Sequence, residues 1–170
     1  MTHQSIITYW QKEAEAARDR GFRFFRWLKT LDGKKVDRLA KETHTEVFQT
    51  VNCLQCTNCC RTLKPDFREK EQQAVSAYLG LTVEALQAGY LEQNEQGNWQ
   101  TNALPCPFLA DTGHCRIYEV RPGDCRGFPH TDKAPFTSRS WAHSENVVTC
   151  PAVFAILEKM QARIGYRDGE

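Results

Sequence analysis

The sequence predicts a mainly helical domain built around a long irregular cysteine-rich region, with little strand, and three observations predict it. Apolar residues recur at helical spacing at both ends of the chain. The stretch from Pro105 to Pro135 is crowded with Pro, Gly and Cys, and all eight cysteines fall between positions 53 and 150. With 170 residues, no internal repeat, no low-complexity tract and no linker, the chain reads as one domain. Residues 1–52 form its helical N-terminal portion, 53–151 a cysteine-cluster core, and 152–170 a C-terminal helix and tail.

Residues 4–20 carry Ile6, Ile7, Tyr9, Trp10, Ala14 and Ala17 mostly on one helical face, with Gly21 as the expected stop. Phe22, Phe25, Trp27 and Leu28 continue the pattern over 22–30, and the Asp32-Gly33 turn leads to a third helix over 34–50 with Val36, Leu39, Val47 and Phe48. Arg23, Arg26 and Lys29 interrupt the aromatic stretch. Such basic aromatic segments suit a membrane surface or RNA, but arginine stems also lie over apolar rings at the edge of a core, and helix packing is the reading favoured here.

After the first cysteines, Lys64-Pro65-Asp66 is expected to open a helix running to about Leu79 and closed by Gly80. Thr82 caps the next, over 83–91. The segment EQNEQGNWQTNALP then reads as a polar loop with a short strand near Trp99. Over 151–164, Val153, Ile156, Leu157, Met160 and Ile164 form one stripe behind Pro151, the signature of an amphipathic helix.

Lys and Arg number 22 against 21 Asp and Glu, so no net field draws the chain to nucleic acid or an anionic membrane. No apolar run approaches the roughly 20 residues of a membrane span. The N-terminus lacks a basic start, an apolar run and a small-residue cleavage site, so a cytoplasmic location is expected. There the reducing thiol pool disfavours disulfides, and clustered cysteines read as metal ligands. G-x-S-x-G, P-loop and H-E-x-x-H motifs are all missing, and whether the protein catalyses a reaction stays open.

Cys53-x2-Cys56-x2-Cys59 is the spacing with which bacterial ferredoxins hold three corners of a cubane cluster, and Cys150-Pro151 echoes their Cys-Pro ligand. Cys150 would cap the last helix, where backbone N–H groups favour thiolate, so it is expected to ionise readily. Cys106, Cys115 and Cys125 lack the paired spacing of zinc knuckles. Cys59 and Cys60 are adjacent and rarely aim at one ion. One partition therefore gives Cys53, Cys56, Cys59 and Cys150 to a first centre and Cys60, Cys106, Cys115 and Cys125 to a second; the alternative is a single cluster with the remaining thiols buried and inert. Arg116 and Arg126 follow cysteines directly and could balance an anionic centre, as could Arg61 and Arg121, which read more simply as surface residues. His114, His130 and His143 could each replace a thiol, although solvated or packed histidine is the preferred reading.

CLQCTNCC, CPFL, GHCRIYEVRPGDCRGFP and a final Cys together resemble the YkgJ family of cysteine-cluster proteins, named for the C-x2-C-x2-C-C motif, and the resemblance runs here from about 53 to 151. The resemblance implies zinc or iron chelation at all eight cysteines, and related cysteine sets in flagellin lysine N-methylases loosely imply methyl transfer. Tyr118, Arg121 and Pro122 would hold the loop between Cys115 and Cys125. The expected cofactor is an iron–sulfur cluster of the 4Fe–4S type, or zinc. Expected functions are redox or macromolecule-modifying chemistry at a cluster, a zinc-folded interaction module, or metal handling. The expected partner is a metal ion or cluster, with a protein or other macromolecule unidentified.

Overall fold

A computed structural model describes residues 2–168; it is mainly helical, with one two-stranded sheet among these residues. Backbone contacts divide the chain into two compact units, one comprising the chain up to Cys56 and from Pro129 onward, the other Thr57–Phe128.

The first unit opens with α1, His3–Trp27, capped by the Thr2 hydroxyl, which accepts from the Ser5 N–H at 3.2 Å. This is one helix where the sequence suggests two, because Gly21 does not end it. A Cβ at position 21 would lie 3.3 Å from both Leu157 and Val147, so the glycine is there for close approach rather than for a break. Unbroken, the helix carries one stripe through Ile6, Ala14, Ala17, Gly21, Phe24 and Phe25, and Leu28 just beyond its end is buried with them. Phe24 is therefore fully buried and Phe22, the residue expected inside, is 44% exposed.

α2, Gly33–Phe48, starts at Asp32, whose carboxylate accepts from the Lys35 N–H at 3.1 Å. It buries Val36, Ala40, Thr43 and Val47. α3 is the single turn Cys53–Cys56. Beyond Pro129, α8, Ser140–Thr149, is a helix the sequence reading did not anticipate. Ser144 bonds back to the carbonyls of Ser140 and Trp141, and polar residues of this kind weaken a helical pattern. α9, Pro151–Ile164, has the predicted bounds and ends at Gly165 with φ 66°. It buries Val153, Phe154, Ile156, Leu157 and Met160, each burial stabilising by about 1.5–3 kcal/mol before the entropy of ordering is deducted. Ion pairs from Glu158 to Arg20, and from Lys159 and Arg163 to Glu46, fasten α9 to α1 and α2. The Trp10 indole N–H donates to the Val147 carbonyl at 2.9 Å. No helix among the described residues is long and apolar enough to cross a membrane.

The second unit begins with α4, Asn58–Thr62, entered through Thr57 in the left-handed region at φ 52°. α5, Glu69–Leu79, starts later than the Pro65 signal suggests. The Phe67 N–H donates to the Trp99 carbonyl at 2.7 Å and Asp66 bridges Gln100, so this segment joins the sheet instead of the helix. Gly80 closes α5 at φ 69°, and Thr82 caps α6, Val83–Tyr90, accepting from the Ala85 N–H at 3.1 Å. β1, Leu91–Gln93, pairs antiparallel with β2, Trp99–Thr101, with Leu91 opposite Thr101. α7, Gly123–Gly127, carries Cys125. Phe67, Val75, Leu86, Leu91, Phe108 and Ile117 form the core, with Cys106 and Cys115 packed partly buried against it.

Candidate metal centre

The sequence places the first cysteines in a loop; the structure makes them helical turns. In α3 the Gln55 and Cys56 N–H groups donate to the Asn52 carbonyl, and the Asn52 side chain accepts from the Leu54 N–H at 3.0 Å. Asn52 is itself tied by its N–H to His3 Nδ1 at 3.3 Å. Three residues apart on one turn, Cys53 and Cys56 share a face.

Cys150 belongs to the same unit. It is buried and occupies the N-cap of α9, with Pro151 following. The cap geometry is as the sequence predicts, but its electrostatic consequence is reversed. Burial dominates and pushes the thiol up to about 12, the N–H groups of Val153 and Ala152 pull the other way, and Cys53 and Cys56 push it up further. The expected ready ionisation is corrected on this ground: the helix terminus cannot offset removal from water. Cys150, Cys53 and Cys56 belong to one compact unit.

The Thr57–Phe128 unit assembles a second set. Cys59 and Cys60 are neighbours on α4; their hydrogen bond, ahead of the opposing effect of burial and with help from Arg61, lowers Cys60 to about 7. The Cys106 N–H donates to the Cys60 carbonyl at 2.7 Å, which brings a residue distant in sequence to the cluster by a main-chain bond. Cys106 is pushed up to about 11, mainly by burial, with Cys60 and Cys115 adding to it. Cys115 follows a tight turn in which Ala110 and His114 pair, and it bridges Leu109. Its thiol is raised by burial and by Cys60, while Arg121 and Arg116 oppose the shift. Cys125 is pushed up to about 12 by burial, then by Cys106, Cys60, Cys115 and Asp124. Cys60, Cys106, Cys115 and Cys125 thus all feel one another's charge.

All eight cysteines are thiols rather than disulfides. Among the described residues, no three His, Cys, Asp or Glu side chains stand in finished metal-coordinating positions. The donor chemistry nevertheless fits a soft cation: partly dehydrated thiols gathered together repel one another once ionised, and a thiophilic metal is what neutralises that repulsion.

The arginines divide differently from the sequence reading. Arg61 and Arg121, taken as surface residues, favour the ionised forms of Cys60 and Cys115 respectively, and Arg116 joins Arg121. Arg121 lies 3.6 Å from the Tyr118 ring centroid and donates to the Tyr118 carbonyl at 2.6 Å, so it braces the Cys115–Cys125 loop while acting on Cys115. Of the histidines, His143 is fully buried with its ring stacked 4.4 Å from Phe136, a packing role. Spacing could not reveal the Cys106–Cys60 main-chain bond, and no motif marks it.

A comparison with family models matches residues 52–151 to the family described as "CxxCxxCC: Putative zinc- or iron-chelating domain". The class defined by this match and by the grouped thiols is a metal-binding cysteine domain. The chain belongs to the CxxCxxCC family, the family its sequence resembles. Comparisons with curated proteins and with solved structures returned no match.

Proposed function

We propose that the protein holds an iron–sulfur cluster, of the 4Fe–4S type, through cysteine thiolates. The observation that carries this reading is that Cys150 falls in the same compact unit as Cys53 and Cys56 and feels their charge. The ferredoxin pattern joins a C-x2-C-x2-C run to a Cys-Pro ligand, and here the Cys-Pro residue, far along the chain, senses the first two thiols of that run. Cys53, Cys56 and Cys150 would supply three ligands in their unit. Cys60, Cys106, Cys115 and Cys125 would supply four in the other, with Cys59 held against Cys60. A cluster with three protein thiolates keeps one iron open, which would permit redox or macromolecule-modifying chemistry.

Zinc is the second reading, favoured by one observation: four thiols that sense one another within a single unit match the ligand count of a closed structural zinc site. The test is iron, zinc and acid-labile sulfide per chain, with an optical spectrum, on protein purified without oxygen. Matched iron and sulfide with broad visible absorption supports the cluster. Stoichiometric zinc without sulfide, after growth with ample iron, overturns it in favour of a zinc-folded module.

A further inference from the structure

Within the Thr57–Phe128 unit, a cavity of about 710 Å³ opens between the start of α5, the face of α6 and the turn of the hairpin. Its size is that of a small-molecule site. Three carboxylates, Asp66, Glu69 and Asp124, line it beside a single cation, Arg68. Asp66 and Asp124 are brought together by the fold, the Asp66 N–H donating to Asp124 Oδ2 at 3.3 Å. No ion pair from Arg68 to either aspartate forms among the described residues. Burial and then Asp124 hold the Asp66 carboxyl above its ordinary range, against weaker help from the Asn98 amide and Arg68. Trp99, whose carbonyl accepts from the Phe67 N–H, and Val83 contribute apolar surface to the same lining.

We infer that this cavity binds a guanidinium group carried on a short aliphatic chain. The aspartates supply acceptors for its N–H donors, and Trp99 with Val83 forms the wall for its planar head and stem. A guanidinium presents five donors in a fixed plane and an ammonium three on a point charge, so paired carboxylates beside an indole match the former better. The cavity contains no thiol, but Asp124 precedes Cys125 on α7, so the probe is offered to the metal-loaded chain, and the inference does not depend on whether that metal is iron or zinc.

The test uses the full chain with its metal as purified, n-butylguanidinium as probe, and the Trp99 indole N–H resonance, identified with Trp99→Phe, as readout. Trp10, Trp27 and Trp141 lie in the other unit and serve as internal controls. A saturable shift of Trp99 alone is expected, with n-butylammonium at least about fivefold weaker and n-butanol inert. Asp66→Asn is expected to weaken binding about tenfold, and Arg68→Gln to tighten it about two- to threefold by removing a like charge. Val83→Trp, which fills the recess and leaves every charge in place, is expected to abolish binding, so the result does not rest on how well the Asp66 variant folds. A blocked pentapeptide with one central arginine, if tighter than the free probe, identifies a protein side chain as the source; if weaker, a small molecule. No Trp99 shift, an equal response to n-butanol or n-butylammonium, or indifference to both Asp66→Asn and Val83→Trp would overturn the assignment.

Discussion

Around α9 of the first unit, Phe24, Phe25, Val147, Val153, Ile156, Leu157 and Met160 are all buried, drawn from the three helices α1, α8 and α9. The Thr57–Phe128 unit closes on six buried side chains, Phe67, Val75, Leu86, Leu91, Phe108 and Ile117, and places Cys106 and Cys115 against them. The first unit has enough apolar burial to hold itself together. The second has Cys106 and Cys115 at the edge of a small core, so a metal held by them, as proposed, would add to its stability.

The largest effect follows directly. Stripping the metal with a chelator under reducing conditions is expected to remove amide protection from α7 and the Cys106–Cys115 loop while α1 and α9 stay protected, as read by hydrogen exchange. Uniform loss in both units would break the contrast. Next in size, Phe25→Ala should destabilise the first unit by about 3–5 kcal/mol in denaturant unfolding and leave metal content per chain unchanged.

A pH dependence sharpens the comparison because its source, His143, lies in the first unit. Burial, then Arg139, lowers its folded-state value to about 4 from an ordinary 6.5. The unfolded chain therefore binds the proton first. Stability is full above about 6.5 and falls as pH drops toward 4, by roughly 3 kcal/mol in all. His143→Phe should flatten that part of the stability profile. The smallest effect is Thr82→Ala in the second unit, which removes the cap on α6 and should cost about 1 kcal/mol by thermal unfolding.

Local signals read well wherever the chemistry was local. Pro151 opens α9, Thr82 starts α6 and Gly80 ends α5, each by a residue visible in the sequence. Gly21 misled because a helix-stopping glycine and a close-packing glycine look alike until Leu157 and Val147 are in place. The start of α5 was lost to a tertiary bond from Phe67 to Trp99, and α8 to its polar residues. The cysteines announced themselves by spacing. Which thiols sense which did not, since Cys106 reaches Cys60 through the fold, and the sign at Cys150 depended on burial that no dipeptide encodes.

Cys150 stands at the head of the helix that anchors its unit, its N–H donating to the Asn146 carbonyl at 2.8 Å and its own carbonyl accepting from Phe154. Its backbone is fixed before any ligand arrives, whereas Cys106 and Cys115 ride on turns with little regular structure. A metal bound as proposed would meet at Cys150 a thiol whose main chain has no more freedom to surrender, while at the turns capture and ordering would coincide. Loading the proposed ligands would therefore cost different things in the two units: at Cys150 the loss of a deeply buried proton from a fixed backbone, at the turns the ordering of the chain as well.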